Sequence, residues 1–319
     1  MSARFVSVNP ANNPIRIATR ASRLALWQAE HVAGLLRGGV TDRTVELVHV
    51  STSGDEDRTR PLSEMGGIGL FTREVQRAVL DGRADVAVHS LKDLPTEALP
   101  GLALAGIPAR APRFDVLVLP AGIAPDTPAA LPAGARVGTG SLRRRAQLLH
   151  AWPDLVMCDV RGNVETRLRK LDAGEFDALI LAQAGLQRLG LGHRGSLVLH
   201  PPVMYPAVGQ GAIGVECRAD DADVIALLDG MTDPIARAET AAERACLAEL
   251  RAGCHAPVGV LATISGATLQ VEAVVLSADG RSRLRSTVSG DVAQPHSVGR
   301  EVARDLFRQG GESLIRMPG

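Results

Sequence analysis

The chain has 319 residues, enough for two or three domains. Hydrophobic residues make up 45% and charged residues 22%, which is typical of a folded globular protein and argues against a disordered chain. The 35 basic and 35 acidic residues cancel, so no overall charge would steer the chain to nucleic acid or to an anionic membrane. Any recognition of anions therefore requires local clusters of cations.

The first third of the chain predicts strands that alternate with helices. The predicted elements, in chain order, are a strand at 15–18, a helix at 24–36, a strand at 45–51, a helix at 71–80 and a strand at 85–89. Ser22 is placed to cap the first of these helices. Residues 53–69, which are rich in Gly, Asp and Glu and show no periodicity, predict a long loop.

The same order of elements recurs further along the chain. The second set consists of a strand at 136–138, helices at 142–151 and 164–171, and an apolar strand at 177–181. The segments 80–85 and 171–177 also resemble each other, with one inserted residue. Strands that alternate with helices indicate mostly parallel sheets, so we expect an α/β protein with two related lobes that bind ligands beyond the carboxyl ends of their strands.

Beyond Pro234 the pattern changes to a long helix followed by alternating segments. A helix at 235–250 precedes a loop that carries Cys254, and a last helix is predicted at 296–309. Segments of period 2 lie between them, at 258–264, 268–276 and 281–288. The predicted domains are lobe 1 (15–108 and 212–231), lobe 2 (113–205) and a small C-terminal α+β domain (234–319).

Cysteine usage and hydropathy indicate the compartment. Cys158, Cys217, Cys246 and Cys254 show neither CxxC pairing nor zinc-ligand spacing, so we expect reduced thiols and no metal site. No apolar run approaches the roughly 18–20 residues of a membrane helix, and the polar N-terminus lacks a secretion signal. These features predict a cytoplasmic protein with no membrane or nucleic-acid partner.

Arginines cluster where predicted strands turn into helices. Arg20 follows the first strand, and Arg143, Arg144 and Arg145 lie in the first turn of a helix. The partial positive charge of a helix start disfavours cations there, unless an anion is bound against the turn. A solvated basic turn is the alternative interpretation.

Three further arginines, Arg161, Arg167 and Arg188, lie at predicted strand ends or in loops. Each alone fits a surface residue, but together they predict a pocket for a ligand that carries several carboxylates or phosphates. No GxxxxGK[ST] or GxGxxG motif lies at a strand–helix junction, which argues against a nucleotide.

Two other residue types suggest chemistry. Asp93 follows an apolar strand beside Lys92, a position suited to proton transfer within a cleft, although it could instead pair with Lys92 or cap the next turn. Cys254 lies in an irregular loop with Gly, Pro and cationic neighbours, where a thiol is more accessible and more acidic than in a core. Chemistry alone leaves the role of Cys254 open.

Ten short motifs, in order, carry a resemblance to a known family. They are residues 17–22 (IATRAS), 69–71 (GLF), 88–95 (VHSLKDLP), 137–144 (VGTGSLRR), 161–163 (RGN), 166–168 (TRL), 184–186 (AGL), 207–212 (AVGQGA), 242–244 (AER) and 252–254 (AGC). With these motifs the chain resembles the porphobilinogen deaminase family from about residue 15 to residue 314.

The resemblance implies two periplasmic-binding-protein-like lobes and a small C-terminal domain. The loop cysteine of that domain, here Cys254, would carry a dipyrromethane cofactor through a thioether. On this primer the family joins four porphobilinogen units, each losing ammonia, and hydrolysis releases hydroxymethylbilane for tetrapyrrole (haem) biosynthesis. The family's catalytic Asp corresponds to Asp93, which would protonate the leaving amine and stabilise positive charge on the pyrrole nitrogens.

The resemblance also implies a monomer and a set of binding residues. Roles in binding the carboxylates of cofactor and substrate correspond to Arg20, Ser22, Ser90, Lys92, Thr139, Ser141, Arg143, Arg144, Arg161, Arg167 and Arg188. Gln210 corresponds to a hinge position near the cofactor.

Some positions depart from the family pattern. Glu64 and Ile68 stand where many relatives carry two lysines, so the loop is less cationic here. The stretch 110–115 reads RAPRFD instead of REDPRD, and Gly140 and His255 replace other frequent residues. The alternative to an enzyme is a non-catalytic two-lobed polyanion-binding protein, which would have no need of a domain that carries Cys254.

Overall fold

The computed structural model describes residues 13–51, 72–122, 131–253 and 256–315. Its backbone contacts divide the chain into two compact units. Unit 1 consists of Met1–His89, Ala98–Pro108 and Gly214–Thr232, and unit 2 consists of Ser90–Glu97, Ala109–Ile213 and Asp233–Gly319. Lobe 2 and the C-terminal domain thus share one unit, in which each has its own sheet, and the predicted three-domain division stays a prediction.

Unit 1 is built on one five-stranded sheet. Its strands are β1 (Ile15–Thr19), β2 (Val45–His49), β3 (Val86–Ser90), β4 (Leu102–Gly106) and β10 (Ile213–Arg218), in the order β2-β1-β3-β10-β4. Its helices are α1 (Arg23–Leu35), α2 (Arg73–Leu80) and α6 (Ala222–Gly230). Strand β1 pairs in parallel with β2 and β3, and β10 pairs antiparallel with β4.

The predicted cap of α1 is confirmed. Ser22 has extended backbone angles, and its side-chain oxygen accepts a hydrogen bond of 3.3 Å from the Ala25 N–H. This bond satisfies one of the N–H groups that a helix start leaves without an intrahelical partner.

Lobe 2 of unit 2 repeats the strand order of unit 1. Its strands are β5 (Asp115–Val118), β6 (Arg136–Gly138), β7 (Val156–Cys158), β8 (Ala178–Ala182) and β9 (Leu197–Leu199), in the order β7-β6-β8-β5-β9. Its helices are α3 (Leu142–Ala151), α4 (Val164–Asp172) and α5 (Gln183–Arg188). Strand β6 pairs in parallel with β7 and β8, whereas β5 pairs antiparallel with β8 and β9. The prediction of two α/β lobes with largely parallel sheets is confirmed.

Equivalent ion pairs support the predicted repeat between the lobes. In unit 1 the Asp85 carboxylate accepts hydrogen bonds from the backbone N–H and guanidinium of Arg16, at 2.9 to 3.1 Å. In lobe 2 the Asp177 carboxylate accepts the same three bonds from Arg136, at 2.7 to 3.4 Å. In each lobe the Asp directly precedes one strand and the Arg lies at the start of the parallel strand beside it, at corresponding ends of the two sheets.

The C-terminal part of unit 2 is the predicted small α+β domain. Strands β11 (Val258–Ser265), β12 (Thr268–Leu276) and β13 (Arg283–Asp291) form an antiparallel sheet. The helices here are α7 (Pro234–Glu249), α8 (Pro295–Arg308) and α9 (Glu312–Ile315). Val260, Val271 and Val302 are fully buried in the core of this domain.

The C-terminal domain lies in close backbone contact with lobe 2. Gly280 has a positive φ of 74°, and a Cβ there would lie 2.6 Å from the Ala146 carbonyl oxygen of α3. A Cβ on Gly259 would lie 2.6 Å from the Cβ of Tyr205. Only glycine allows the chain to approach this closely at both positions. Of the helices in the described ranges, none has the length and apolar character to cross a membrane.

Candidate functional site

The candidate site begins where β3 ends. Ser90 is its last residue, and a 3₁₀ turn over Leu91–Asp93 follows. Leu91 is buried, its N–H donates to the Ala212 carbonyl at 3.1 Å, and Gly209 packs so closely that a Cβ there would lie 3.0 Å from Leu91 Cγ. The turn is therefore fixed by its apolar residue, which leaves Lys92 partly buried and Asp93 exposed.

Arg244 of α7 holds the far side of this turn. Its guanidinium donates to the carbonyl oxygens of Leu94 and Pro95, at 3.1 and 2.7 Å. Arg244 lies in one of the family motifs, but its sequence context gave no indication of this contact. A donor on α7 thus connects the Asp93 turn to the helix that leads toward residue 254.

Lys92 is a partly buried cation whose positive charge is only weakly balanced by nearby negative charge. Among the described residues, no hydrogen-bond or ion-pair partner of its ammonium is found. Burial lowers the pKa of Lys92 from 10.5 to about 8, an effect that the charge of Asp93 opposes and the charge of Arg144 reinforces. Lys92, Asp93 and Arg144 are therefore electrostatic neighbours.

The helix start with the arginine triplet surrounds an internal anion. Asp115, at the start of β5, is fully buried, and its carboxylate accepts from Arg143 Nη1 at 2.7 Å and from Arg144 Nε and Nη2 at 2.9 and 2.7 Å. Burial alone would raise the pKa of Asp115, but the two guanidiniums hold it well below its usual range. Arg145 points to solvent.

The expected anion at this turn is therefore present within the protein itself. The anion that the structure places there is Asp115, and the role of Arg143 and Arg144 in binding a ligand stays a prediction. Arg143 Nη1 also donates to the Tyr205 carbonyl at 2.6 Å, and Arg144 Nη1 donates to the Ile180 carbonyl at 3.0 Å.

Gln210 lies against the same carboxylate. Its Nε2 donates to the Arg113 carbonyl at 2.8 Å and to Asp115 Oδ1 at 3.1 Å. The side chain is 1% exposed, and its Oε1 is buried without a hydrogen-bond donor among the described residues. Within the described part of the protein, the carbonyl oxygen of the Gln210 side chain is therefore an unsatisfied hydrogen-bond acceptor.

Arg167 and Arg188 are two further partly buried cations. Arg167, on α4, donates from Nε to the Gly162 carbonyl at 2.8 Å, and Arg188, on α5, donates from Nη2 to the Gly211 carbonyl at 2.7 Å. Burial lowers the pKa of each to about 10, and the charges of Arg144 and Asp93 act on Arg167 as well. Within the described ranges, no carboxylate lies within 4.0 Å of Arg167.

The parallel strands of lobe 2 explain why these residues come together. The carboxyl ends of β7, β6 and β8 lie at one edge of the sheet, since the three strands run parallel. Residues that follow these strands are Arg161, which is exposed, together with Arg167, Thr139, Ser141 and Arg188.

The hydroxyl groups among the predicted binding residues are used within their own turns. Thr139 Oγ1 accepts from the Ser141 N–H at 3.2 Å, and the Ser141 oxygen caps α3 by accepting from the Arg144 N–H at 3.5 Å. Arg20 and Ser22 lie in unit 1, where Ser22 caps α1. Ligand binding by these residues, and by Ser90, stays a prediction.

Cys254 and His255 lie outside the described residues, as do Glu64 and Ile68. The described residues on either side of Cys254 place it between α7 and β11. Of the other cysteines, Cys217 and Cys246 are buried and Cys158 is partly exposed. Burial raises the pKa of Cys217 to about 11 and that of Cys246 to about 12, which makes both poor nucleophiles.

A buried cluster of ion pairs, which the sequence did not predict, holds the backbone next to the site in place. Glu243 of α7 is fully buried and pairs with Arg110 at 2.9 Å, and it also accepts from the Gly209 N–H at 2.8 Å. Glu239 pairs with Arg110 at 3.3 Å and with Arg113 at 2.9 Å. Arg110 Nε also donates to the Gln210 carbonyl at 3.0 Å, so the cluster fixes the segment that carries Gln210.

Comparison with protein families identifies the chain. Residues 15–226 match the family described as "Porphobilinogen deaminase, dipyromethane cofactor binding domain", and residues 238–308 match "Porphobilinogen deaminase, C-terminal domain". The chain belongs to the porphobilinogen deaminase family. It therefore has the family's dipyrromethane cofactor-binding domain and is a transferase of the hydroxymethylbilane synthase type.

Individual relatives agree with this assignment. The chain is 47% identical to the porphobilinogen deaminase of Chromobacterium violaceum over 301 residues. The aligned region covers 94% of this chain and 96% of that protein. The chain is also 47% identical over 299 residues to the porphobilinogen deaminase of Roseiflexus sp. strain RS-1, covering 94% and 97%.

Among solved structures, the periplasmic VFT2 domain of Bordetella pertussis BvgS is similar with a TM-score of 0.40 and 15% identity, over 69% of this chain and 86% of that one. A likeness at this level supports no inference about the chain.

The residues present fit a porphobilinogen deaminase cofactor. A dipyrromethane carries acetate and propionate groups, which suit the partly buried cations Lys92, Arg167 and Arg188. It also carries pyrrole N–H donors, which suit the unfilled Oε1 of Gln210. The interpretation as a non-catalytic polyanion-binding protein is not favoured.

Proposed function

We propose that this chain condenses four porphobilinogen units head to tail on a dipyrromethane primer, which a thioether links to Cys254, and releases hydroxymethylbilane and ammonia. The observation that carries the proposal is the pair of partly buried cations, Lys92 and Arg167, beside the exposed carboxylate of Asp93. Within the described ranges neither cation forms an ion pair. Such cations suit a ligand that brings its own carboxylates.

The reaction needs no oxidant or reductant. In each addition the C–N bond of the porphobilinogen aminomethyl group breaks, and a C–C bond forms to the free ring carbon of the growing chain. That carbon loses a proton, and the nitrogen leaves as ammonia. When bound, the dipyrromethane supplies the ring carbon to which the first unit is joined.

Asp93 is the proposed catalytic residue. Its carboxyl group, displayed on the 3₁₀ turn, would transfer a proton to the leaving amine and then stabilise positive charge on the pyrrole nitrogen. A carboxylate that is held in position lowers the activation barrier most when it lies where positive charge develops in the transition state. Because Leu91 and Arg244 fix the turn on both sides, Asp93 needs little reorganisation to act.

Lys92, Arg167 and Arg188 are proposed to bind the acetate and propionate groups. Burial disfavours the charged form of each side chain, and an incoming carboxylate would offset that cost by pairing with it. Lys92 responds most, because its pKa of about 8 lies nearest to neutral pH. Carboxylate binding is then coupled to full protonation of Lys92.

The other predicted binding residues are included in the proposal. They are Arg20, Ser22, Ser90, Thr139, Ser141, Arg143, Arg144, Arg161 and Gln210. We also propose a cytoplasmic monomer; the motifs shared with the family support the monomer, and the sequence pattern supports the compartment.

The stoichiometry of ammonia release tests this function. The full chain, incubated with porphobilinogen, is expected to release four ammonia molecules for each hydroxymethylbilane formed. The Asp93→Ala variant is the control, since it should retain the fold and release far less ammonia. Binding of porphobilinogen without ammonia release by the wild-type chain would overturn the proposal and favour a binding protein.

A further inference from the structure

Asp115 connects three of the residues assigned to the ligand site. Its Oδ2 accepts from Arg143, while its Oδ1 accepts from Arg144 Nε and Nη2 and from Gln210 Nε2. The carboxylate is 0% exposed, so it does not itself contact solvent. Asp115 belongs to no catalytic or binding assignment made above.

The bonds to Asp115 determine which donors Arg144 retains. A guanidinium has five N–H donors in a planar fork. Arg144 uses Nε and one hydrogen of Nη2 on Asp115, and one hydrogen of Nη1 on the Ile180 carbonyl. One hydrogen therefore remains on each terminal nitrogen of Arg144 to donate to a further acceptor.

The same carboxylate determines the orientation of the Gln210 amide. Both hydrogens of Nε2 are directed at acceptors, the Arg113 carbonyl and Asp115 Oδ1, so a flipped amide would place an oxygen against two oxygens. This fixes Oε1 as the atom that is buried without a donor among the described residues. A buried acceptor without a donor is unfavourable, and an N–H group from a ligand would relieve that cost.

We propose that Asp115 is a positioning residue of the ligand site. By holding Arg144 and Gln210 in one orientation, it directs N–H donors toward a ligand carboxylate and a carbonyl oxygen toward a pyrrole N–H. The inference rests on the proposed function, because it assigns the ligand as an acidic pyrrole.

A purely structural role makes a different prediction. In that case Asp115 only neutralises two buried arginines, and its loss would destabilise the fold without changing how a folded molecule binds its ligand. The two roles therefore differ in ligand affinity measured on folded protein, and stability alone does not separate them.

The test compares Asp115→Asn with Asp85→Asn. Asp85 is a matched control in unit 1, since its carboxylate also accepts from two arginines, Arg16 and Arg218. Each full-length chain is produced in cells that make no porphobilinogen and is then incubated with increasing porphobilinogen. Intact mass after one fixed, short incubation gives the porphobilinogen concentration for half-maximal attachment of pyrroles, and the loaded enzyme gives KM and kcat.

We expect Asp115→Asn to raise both the half-loading concentration and KM at least tenfold, with a smaller change in kcat. For Asp85→Asn, the half-loading concentration and KM should stay within twofold of the wild-type values. Both variants should unfold at a lower urea concentration than the wild-type chain. Half-loading and KM within twofold of wild type in folded Asp115→Asn would overturn the inference.

Gln210→Met keeps the test open if Asp115→Asn does not fold. This variant removes the oriented amide and retains the side-chain volume. A rise of fivefold or more in half-loading concentration supports the inference, and a smaller change overturns it. Where Asp115→Asn does fold, the double variant should bind no more weakly than Asp115→Asn alone, because both changes remove the same oriented carbonyl. If the wild-type chain itself attached no pyrroles, the proposed function would fail, an outcome distinct from either of these.

Discussion

Replacing Lys92 with Met tests the electrostatics of the site. In the folded chain without a bound ligand, burial lowers the pKa of Lys92 from 10.5 to about 8. At roughly 1.36 kcal/mol per pKa unit, the charged form is destabilised in the fold by up to about 3 kcal/mol. Met fills a similar volume and carries no charge, so the variant should be more stable than wild type at pH 7 by up to this amount.

The pH dependence has a definite sign. Below pH 8 Lys92 is protonated in both the folded and the unfolded chain, so the destabilisation is fully present. Between pH 8 and 10.5 the folded chain loses the proton first, and the wild-type free energy of unfolding rises relative to that of Lys92→Met. The advantage of the variant should therefore disappear above pH 10.5.

Two measurements check this prediction. Urea unfolding of both chains from pH 6.5 to 10.5 gives the difference in free energy of unfolding. Lysine labelled with 13C at Cε gives the pKa directly by NMR, because Lys92 and Lys170 are the only lysines and Lys170→Arg assigns the signals. A Lys92 titration midpoint near 10.5 in the ligand-free chain, or a constant difference in free energy across this range, would refute the reasoning.

Three other substitutions have defined outcomes. Asp93→Ala should leave the urea midpoint and the attached pyrroles nearly unchanged while it lowers turnover by orders of magnitude; near-normal kcat would contradict its catalytic role. Glu243→Gln should lower the free energy of unfolding in urea by about 1.5–3 kcal/mol, since it removes the closer of the two carboxylates that pair with buried Arg110 and leaves Glu239 in place, and a loss below 1 kcal/mol would be inconsistent with that pair. Gly280→Ala should cost about 1–3 kcal/mol more than Gly174→Ala, because both have positive φ but only Gly280 faces the α3 backbone; equal losses would exclude the steric explanation.

Local patterns in the sequence predicted the units of the fold. The N-cap residue Ser22 marks the start of α1, since a side-chain oxygen at that position satisfies a free N–H of the next turn. The alternation of apolar residues predicted β11 and β12 within one residue of their observed ends. Such signals depend on residues close in the chain, which a sequence displays directly.

The short antiparallel strands of the two lobes were harder to predict than the longer strands of the C-terminal domain. The short strands β4, β5 and β9 have no alternating pattern long enough to distinguish them from other buried segments, and their pairing partners lie far away in the chain. A short apolar segment does not by itself show whether the strand pairs parallel or antiparallel, because that depends on a partner strand that is distant in the chain.

The polar interior of the site could be predicted only in part. The motifs led to Lys92, Asp93 and Gln210, but not to the anion at Asp115, because its partners Arg143 and Arg144 lie 28 and 29 residues further along the chain. Glu243 lies 133 residues from Arg110, so the pair exists only once the fold has formed. Placing these charges required the tertiary structure.

The covalent state of Cys254 tests the central claim most directly. Intact-mass measurement of the purified full chain, followed by peptide mapping, should show an excess equal to two porphobilinogen units minus two ammonia molecules on the peptide that contains Cys254. Cys254→Ser should show no such excess. A chain that stays unmodified after incubation with porphobilinogen or hydroxymethylbilane, or that carries the excess on another residue, would contradict the proposed attachment.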